Sequence, residues 1–595
     1  MKKATILITF LLLIACNQKK GNSADTVTED NKKLATLLEN YYNKRMHLFP
    51  LEATINGDTL YNNLLPADFT DSYRQRLRDF YTRYNDSITK FNEQELNDND
   101  RKSYDIFKYQ METELKGLSM IGNSYFPFDQ FNGVPLLLGQ MGGGTGYQPF
   151  KTVKDYDNWL ERASAFTTWS DSAIVNFKKG LAINYVLPKA IVIKMIPQMN
   201  AMVTKDATNS LFYGPIKSMP ASFSESDKKR LTAAYIDLIN NKLIPSYKKL
   251  GDFLKNEYLP KARTTTGVNA LAGGKEYYDY SVKYWTTTNK TPQEIYNTGL
   301  SEVKRIKAIM EKIKDSVGFK GDLNAFFTYM KTDKKFTPYK TPKEVLDAFR
   351  DIERKMEPNL KKMFTLVPKS KFEIKQTEAF RAASASAEYN PGLPDGSRPG
   401  VFYVPIVDAT KFNTTSGMES LFLHEAIPGH HYQISLQMEN EKLPKFRRFI
   451  WYGAYGEGYA LYCESLGKEL GLYTDPYQHM GALGDEMHRA VRLVVDVAMH
   501  TGKMTREQAI KYMMDNEAIS EDGAVAEIER YMAYPGQALS YKTGALKIRE
   551  LREKYSKELG PKFSISAFHA EFLKDGCMPL EIIEKSMDAW AKSQK

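Results

Sequence analysis

The run Met418-Glu-Ser-Leu-Phe-Leu-His424-Glu425-Ala-Ile-Pro428-Gly429-His430-His431-Tyr-Gln gathers three of the eight histidines in a chain of 595 residues, and a carboxylate directly follows the first. Zinc needs neutral imidazoles and oxygen donors converging at about 2.0–2.2 Å. On one uninterrupted helix the usual solution is H-E-x-x-H, with ligands at i and i+4 and a glutamate base beside the first. Here the i+4 position is Pro428. Proline removes the amide that would bond the His424 carbonyl, and Gly429 permits backbone angles that other residues avoid, so the helix must kink or bulge. If Pro428-Gly429 is looped out, His430 takes the i+4 role, the preferred arrangement. If the helix runs through, His431 at i+7 lies only about 20° round from His424. Geometry leaves both open.

A third ligand comes from Tyr455-Gly-Glu457-Gly-Tyr-Ala-Leu-Tyr-Cys-Glu464, where Glu457 lies between glycines and opens an apolar run that reads as helix. A helix, a turn and an antiparallel helix would bring Glu457 back to the histidines. Glu464, at i+7 on that second helix, is placed to hydrogen-bond a ligand histidine from behind.

These residues resemble the family labelled domain of unknown function 885, which is grouped with the gluzincin metallopeptidases, and the likeness runs from about residue 30 to the C-terminus. The resemblance implies a zinc-dependent hydrolase with a mainly α, zincin-like fold of the thimet oligopeptidase and Taq carboxypeptidase type. Such a fold has two lobes around a cleft and a small edge β-sheet near the metal. It implies one zinc ion per chain held by His424, one of His430 and His431, and Glu457, with Glu425 as general base and His431 a further catalytic candidate if it is not a ligand. The loop Tyr534-Pro-Gly-Gln-Ala-Leu-Ser-Tyr541 looks like the glycine- and tyrosine-rich loop that faces zinc in thimet-type peptidases. Tyr541 first, and Tyr534 second, are therefore candidate oxyanion donors.

The rest of the chain sets the context. The opening Met1-Lys-Lys, an apolar stretch from Ala4 to Leu13, and Leu13-Ile-Ala-Cys16 match a bacterial lipoprotein signal. This apolar run is too short for a membrane span. The expectation is a signal peptide over 1–15, Cys16 lipidated, a polar tether over 16–30, and a protein anchored outside the cytoplasmic membrane, on the outer membrane facing the periplasm or cell surface. The other two cysteines, Cys463 and Cys577, form no disulfide framework or metal knuckle in their spacing. The net charge of +10 comes from 82 basic against 72 acidic residues spread along the whole chain, without a concentrated basic arm, which argues against a nucleic-acid partner.

Amphipathic helices dominate the pattern, assigned to an N-terminal helical lobe (31–265) and a catalytic lobe (266–595). Thr291-Pro292 and Thr341-Pro342 read as helix starts, and Pro245 as a kink or break. The cluster Met141-Gly-Gly-Gly-Thr-Gly lacks the strand and the Lys-Ser/Thr of a phosphate loop and reads as a surface loop. Val401-Phe-Tyr-Val-Pro-Ile-Val is the clearest strand, and Pro405 places it at a sheet edge, where an extended peptide could add. That makes Tyr403, and Arg398 in the preceding loop, candidate substrate contacts. On the helix around 483–500, Arg489, Arg492, Asp496 and His500 form a charged stripe beside an apolar face. Of these, Arg489, Arg492 and His500 are candidates to line the cleft, an arginine gripping a substrate carboxylate. The expected partner is a peptide or small amide substrate. The rival expectation is a non-catalytic, nutrient-binding lipoprotein.

Overall fold

The computed structural model describes residues 29–595 apart from 145, 378–385, 397 and 416. The signal segment, Cys16 and most of the tether lie outside the described residues. Helix accounts for 69% of the structure and strand for 3%.

Local signals act where expected. Thr291 and Glu294 close a reciprocal capping box ahead of Pro292, and the Thr341 side chain caps the helix that begins at Pro342. At Pro245 the chain continues as helix, and the disturbance takes the form of a π turn, Ile239–Leu243, just before it. A wider turn accommodates the proline ring and its missing N–H without ending the helix.

Ten helices bear on the site: α1 (Glu29–Leu48), α2 (Asp98–Ser119), α3 (Gly274–Thr286), α4 (Pro292–Ser316), α5 (Met418–Glu425), α6 (His430–Glu439), α7 (Gly453–Glu464), α8 (Pro476–His500), α9 (Glu521–Ala533) and α10 (Ser540–Leu559). One large core joins α1 and α2 to the C-terminal helices and encloses Phe422, Leu423, Tyr455 and Tyr459 of the site helices. A second core packs residues from about 65 to 330 against α8 and α9, with Val491, Val494 and Val495 facing it. Helix α8 passes beside α4, where a Cβ on Gly299 would meet Leu493 and Val494 at 2.8 Å.

The sheet has three strands, β1 (Phe372–Gln376), β2 (Glu388–Asn390) and β3 (Gly400–Val404), in the order β1-β3-β2. Strand β3 is central, contrary to the edge position expected from Pro405. It pairs parallel to β1 (Phe372 opposite Gly400) and antiparallel to β2 (Tyr389 opposite Phe402). The ladder stops at Val404, so the N–H that Pro405 lacks is never needed. Among the described residues the edge strands are β1 and β2, and Tyr403 belongs to an inner strand.

Candidate metal centre

Helix α5 ends at Glu425 and α6 starts at His430, with Ala426 (φ −95°, ψ −109°) and Gly429 (φ −72°, ψ −126°) bracketing the break. The loop is tight. A Cβ on Gly429 would lie 2.0 Å from the His424 carbonyl oxygen and 2.3 Å from that of Leu423. Only glycine lets the chain fold back this closely, and the loop sets the His430 ring 4.8 Å from the His424 ring, nearly perpendicular to it.

Helix α7 supplies the carboxylate. Its glycines bring it close to its neighbours: Gly456 lies under the Trp451 indole, and Gly458 meets the Gly544 backbone of α10, a Cβ there coming within 2.5 Å. Glu457 sits between these two contacts. Its Oε2 lies 3.6 Å from His424 Nε2 and 3.4 Å from His430 Nε2. Among the described residues, His424, His430 and Glu457 form a group whose ligand atoms all fall within 4.8 Å of one another.

The distances discriminate between an ion pair and a ligand set. Two donors about 2.05 Å from one tetrahedral ion are separated by about 3.3 Å, close to the observed spacing and longer than a direct hydrogen bond. Tautomer control comes from behind. His424 Nδ1 lies 2.7 Å from Glu464 Oε1; with the proton on Nδ1, the Nε2 lone pair faces Glu457. His430 Nδ1 is buried with no hydrogen-bond partner. Burial alone would lower the pKa of His424, but the nearby Glu457 carboxylate and the hydrogen bond to Glu464 raise it to about 10. Burial would likewise raise Glu457, yet the two histidines hold it far below the usual carboxylate range. The cluster is therefore a sink for positive charge, which a proton fills when no cation does. Its nitrogen and oxygen donors suit zinc.

Glu425 lies beside this group. Burial raises its pKa, the two histidines oppose that rise, and it accepts a hydrogen bond from the Tyr389 backbone N–H of β2. His431 points elsewhere. Its Nδ1 lies 2.8 Å from the Tyr389 hydroxyl and 3.3 Å from Ser435 Oγ, its ring packs on Phe372, and burial lowers its pKa to about 4. Of His430 and His431, it is His430 whose Nε2 faces Glu457.

Of the remaining candidates, Tyr541, Arg489 and Arg492 cluster, while Tyr534, His500 and Arg398 have separate partners. Tyr541, at the start of α10, packs its ring under the Arg492 guanidinium at 4.8 Å and that of Arg489 at 5.8 Å. Arg492 is buried and bonds the Tyr531 hydroxyl and Glu527 from Nε and Nη2. Its Nη1 and the Nε of Arg489 are buried without partners. Tyr534 packs edge-on against Trp285 at 5.0 Å. His500 is not brought to the site: Nδ1 accepts from the Val268 N–H, Nε2 faces the Tyr531 carbonyl, and burial lowers its pKa to about 4. The exposed Arg398 reaches back to the Pro391 carbonyl at 3.3 Å. Tyr389 went unnoticed in the sequence, for its three-residue strand carries no periodic signal. Trp451 was also missed, although a tryptophan shortly before a Gly-Glu-Gly run is a visible cue.

The family described as a bacterial protein of unknown function (DUF885) matches residues 50–587. The chain belongs to that family. Two solved structures share the fold of this DUF885 protein. One is a candidate lipoprotein from Colwellia psychrerythraea, 26% identical, covering 95% of this chain and 100% of its own with a TM-score of 0.87. The other is a candidate lipoprotein of unknown function from Shewanella oneidensis, 19% identical, covering 93% of this chain and 99% of its own with a TM-score of 0.68. No curated protein matches. Among the described residues, no helix is long and apolar enough to cross a membrane.

Proposed function

We propose that this DUF885 protein is a zinc-dependent hydrolase of peptide or related amide bonds, held at a membrane by lipid on Cys16. The observation that carries the proposal is the convergence of His424 Nε2 and His430 Nε2 on one Glu457 oxygen at 3.6 and 3.4 Å. Three protein ligands leave one position for water or substrate, the pattern of a catalytic rather than a structural zinc site. The Glu457 side chain keeps 19% of its surface, against 5% and 10% for the histidines, so the group opens on the glutamate side.

Zinc bound there would make water nucleophilic near neutral pH and polarise the scissile carbonyl. Glu425 would take the proton of the attacking water and return it to the leaving amine, its raised pKa suiting both transfers. The Tyr389 N–H fixes one side of that carboxylate. Glu464 holds the His424 tautomer. Tyr541 would donate to the developing oxyanion, and the unpartnered nitrogens of Arg489 and Arg492 around it would grip a substrate carboxylate. The two cores would form lobes around the cleft, as in zincin-like folds. The lipobox at Cys16 and the lipoprotein descriptions of the Colwellia and Shewanella relatives support placement outside the cytoplasmic membrane.

The test is Glu425→Gln. It should retain about one zinc per chain and lose peptide hydrolysis by at least about 1,000-fold, of the order expected for a catalytic base. A Glu425→Gln enzyme that still hydrolyses peptides would remove the base assignment. A wild-type protein that neither holds zinc nor hydrolyses any peptide would return the nutrient-binding alternative.

A further inference from the structure

Beside the metal group lies a cavity of about 360 Å³, within the usual size of small-ligand sites. It lies between α1, α2, the end of α3 and the start of α7. Trp451 joins it to the metal centre, for the indole lines the cavity and its ring stands 5.9 Å from that of the ligand His430. Trp285 lines the same space and packs on Gly453, the first residue of α7 and one turn before Glu457. A second cavity of about 310 Å³ shares Glu114, Tyr284 and Trp285 with the first and extends it towards Tyr534.

The wall is aromatic, and five of its polar atoms are buried without hydrogen-bond partners: the hydroxyls of Tyr41, Tyr109 and Tyr452, Gln110 Oε1 and Arg45 Nε. Charge decides what such a space takes. Arg45, the one cation among the described residues lining this cavity, is already bound to Glu52, and Arg74, which lines the second, donates to the Leu118 carbonyl. Glu114 remains, a half-buried carboxylate with no hydrogen-bond partner among the described residues; burial raises its pKa, Arg45 opposes the rise and Glu52 adds to it. Such a group gains most from a cation delivered into the cavity. The N-terminus of α7 meets the same wall with about half a positive charge, less than the full charge of the carboxylate.

We propose that this cavity is the specificity pocket of the hydrolase and takes a cationic side chain of the substrate, an alkylammonium or guanidinium, between the faces of Trp285, Trp451 and the tyrosines, with Glu114 as counter-ion. Aromatic faces attract cations through their quadrupole, most strongly where water is excluded. The preference for basic peptides rests on the hydrolase reading; the pocket's affinity for a cation does not.

The experiment has two arms. In the first, zinc-loaded protein is given peptide pairs differing only in lysine or norleucine next to the scissile bond. Wild type should favour lysine, and Glu114→Gln should lower kcat/KM for the lysine peptide roughly tenfold relative to its norleucine twin. The ratio is taken within one protein, so general damage from the substitution cancels. In the second, metal-free protein is titrated with N-acetyl-lysine amide and N-acetyl-norleucine amide while tryptophan fluorescence is followed. The lysine compound should bind and change the signal, and Glu114→Gln should weaken it by a similar factor. If no peptide is cleaved but lysine amide binds through Glu114, the hydrolase reading falls and the pocket stands. Equal binding of the two amides, or no effect of Glu114→Gln in either arm, overturns the pocket.

Discussion

Gly429→Ala is the smallest change that reaches the metal group. The added Cβ would lie 2.0 Å from the His424 oxygen and 2.3 Å from that of Leu423. An ordinary C···O contact is about 3.3 Å, so the loop must open by about 1.3 Å. Zinc ligand distances tolerate only about ±0.2 Å, and the crowded carbonyl belongs to His424, a proposed ligand whose proposed partner, His430, follows Gly429 directly. The strain itself should cost about 1–3 kcal/mol of stability, as overpacking does, which a chain with cores this extensive can absorb. The expected result is a folded protein with wild-type far-ultraviolet circular dichroism and slightly lower urea resistance. Its zinc affinity, measured against a competing chelator, should be weaker by roughly 100-fold or more, about 2.7 kcal/mol, with hydrolysis lost in proportion. Zinc affinity within about threefold of wild type would refute the idea that this glycine sets the ligand geometry.

Glu464→Gln removes the acceptor that holds the His424 Nδ1 proton at 2.7 Å; zinc affinity should fall about 10–100-fold, and an unchanged affinity in the same chelator competition would contradict its supporting role. His569 is pushed down to about 3 by burial, with Nδ1 bonded to the Met363 carbonyl and Nε2 to the Tyr462 hydroxyl. Its folded-state pKa lies below the unfolded value, so its stabilisation is complete above about pH 6.5 and lost as pH falls towards 3. At pH 5 the loss should be about 2 kcal/mol, and His569→Gln should lose correspondingly less between pH 7 and pH 5 in urea titrations; equal losses would dismiss this source of acid sensitivity. His500, lowered to about 4, acts with the same sign.

The parts legible in the sequence were those encoded by residue type at short range. Proline and glycine inside a His-Glu helix signalled a broken helix with a histidine just beyond it, and the apolar run after Glu457 announced a second helix. Sequence spacing alone did not choose between His430 and His431, because the choice depends on Tyr389, a residue from the sheet that engages the His431 nitrogen. Strand β3 was readable from its β-branched and aromatic residues, but its central position was not: its neighbours are a five-residue and a three-residue strand, and alternation over so few residues does not say which strand pairs with which. The stripe on α8 shows the same limit. Periodicity placed Arg492 and His500 on one helix, while the partners that occupy them, Glu527 and Tyr531, arrive on α9.

The most direct measurement is anomalous diffraction at the zinc edge from crystals of the purified protein grown with zinc. The account predicts a single strong peak about 2.0–2.2 Å from His424 Nε2, His430 Nε2 and a Glu457 oxygen, with His431 still bonded to Tyr389. A peak at any other set of side chains, or none in this group at full zinc, would contradict it.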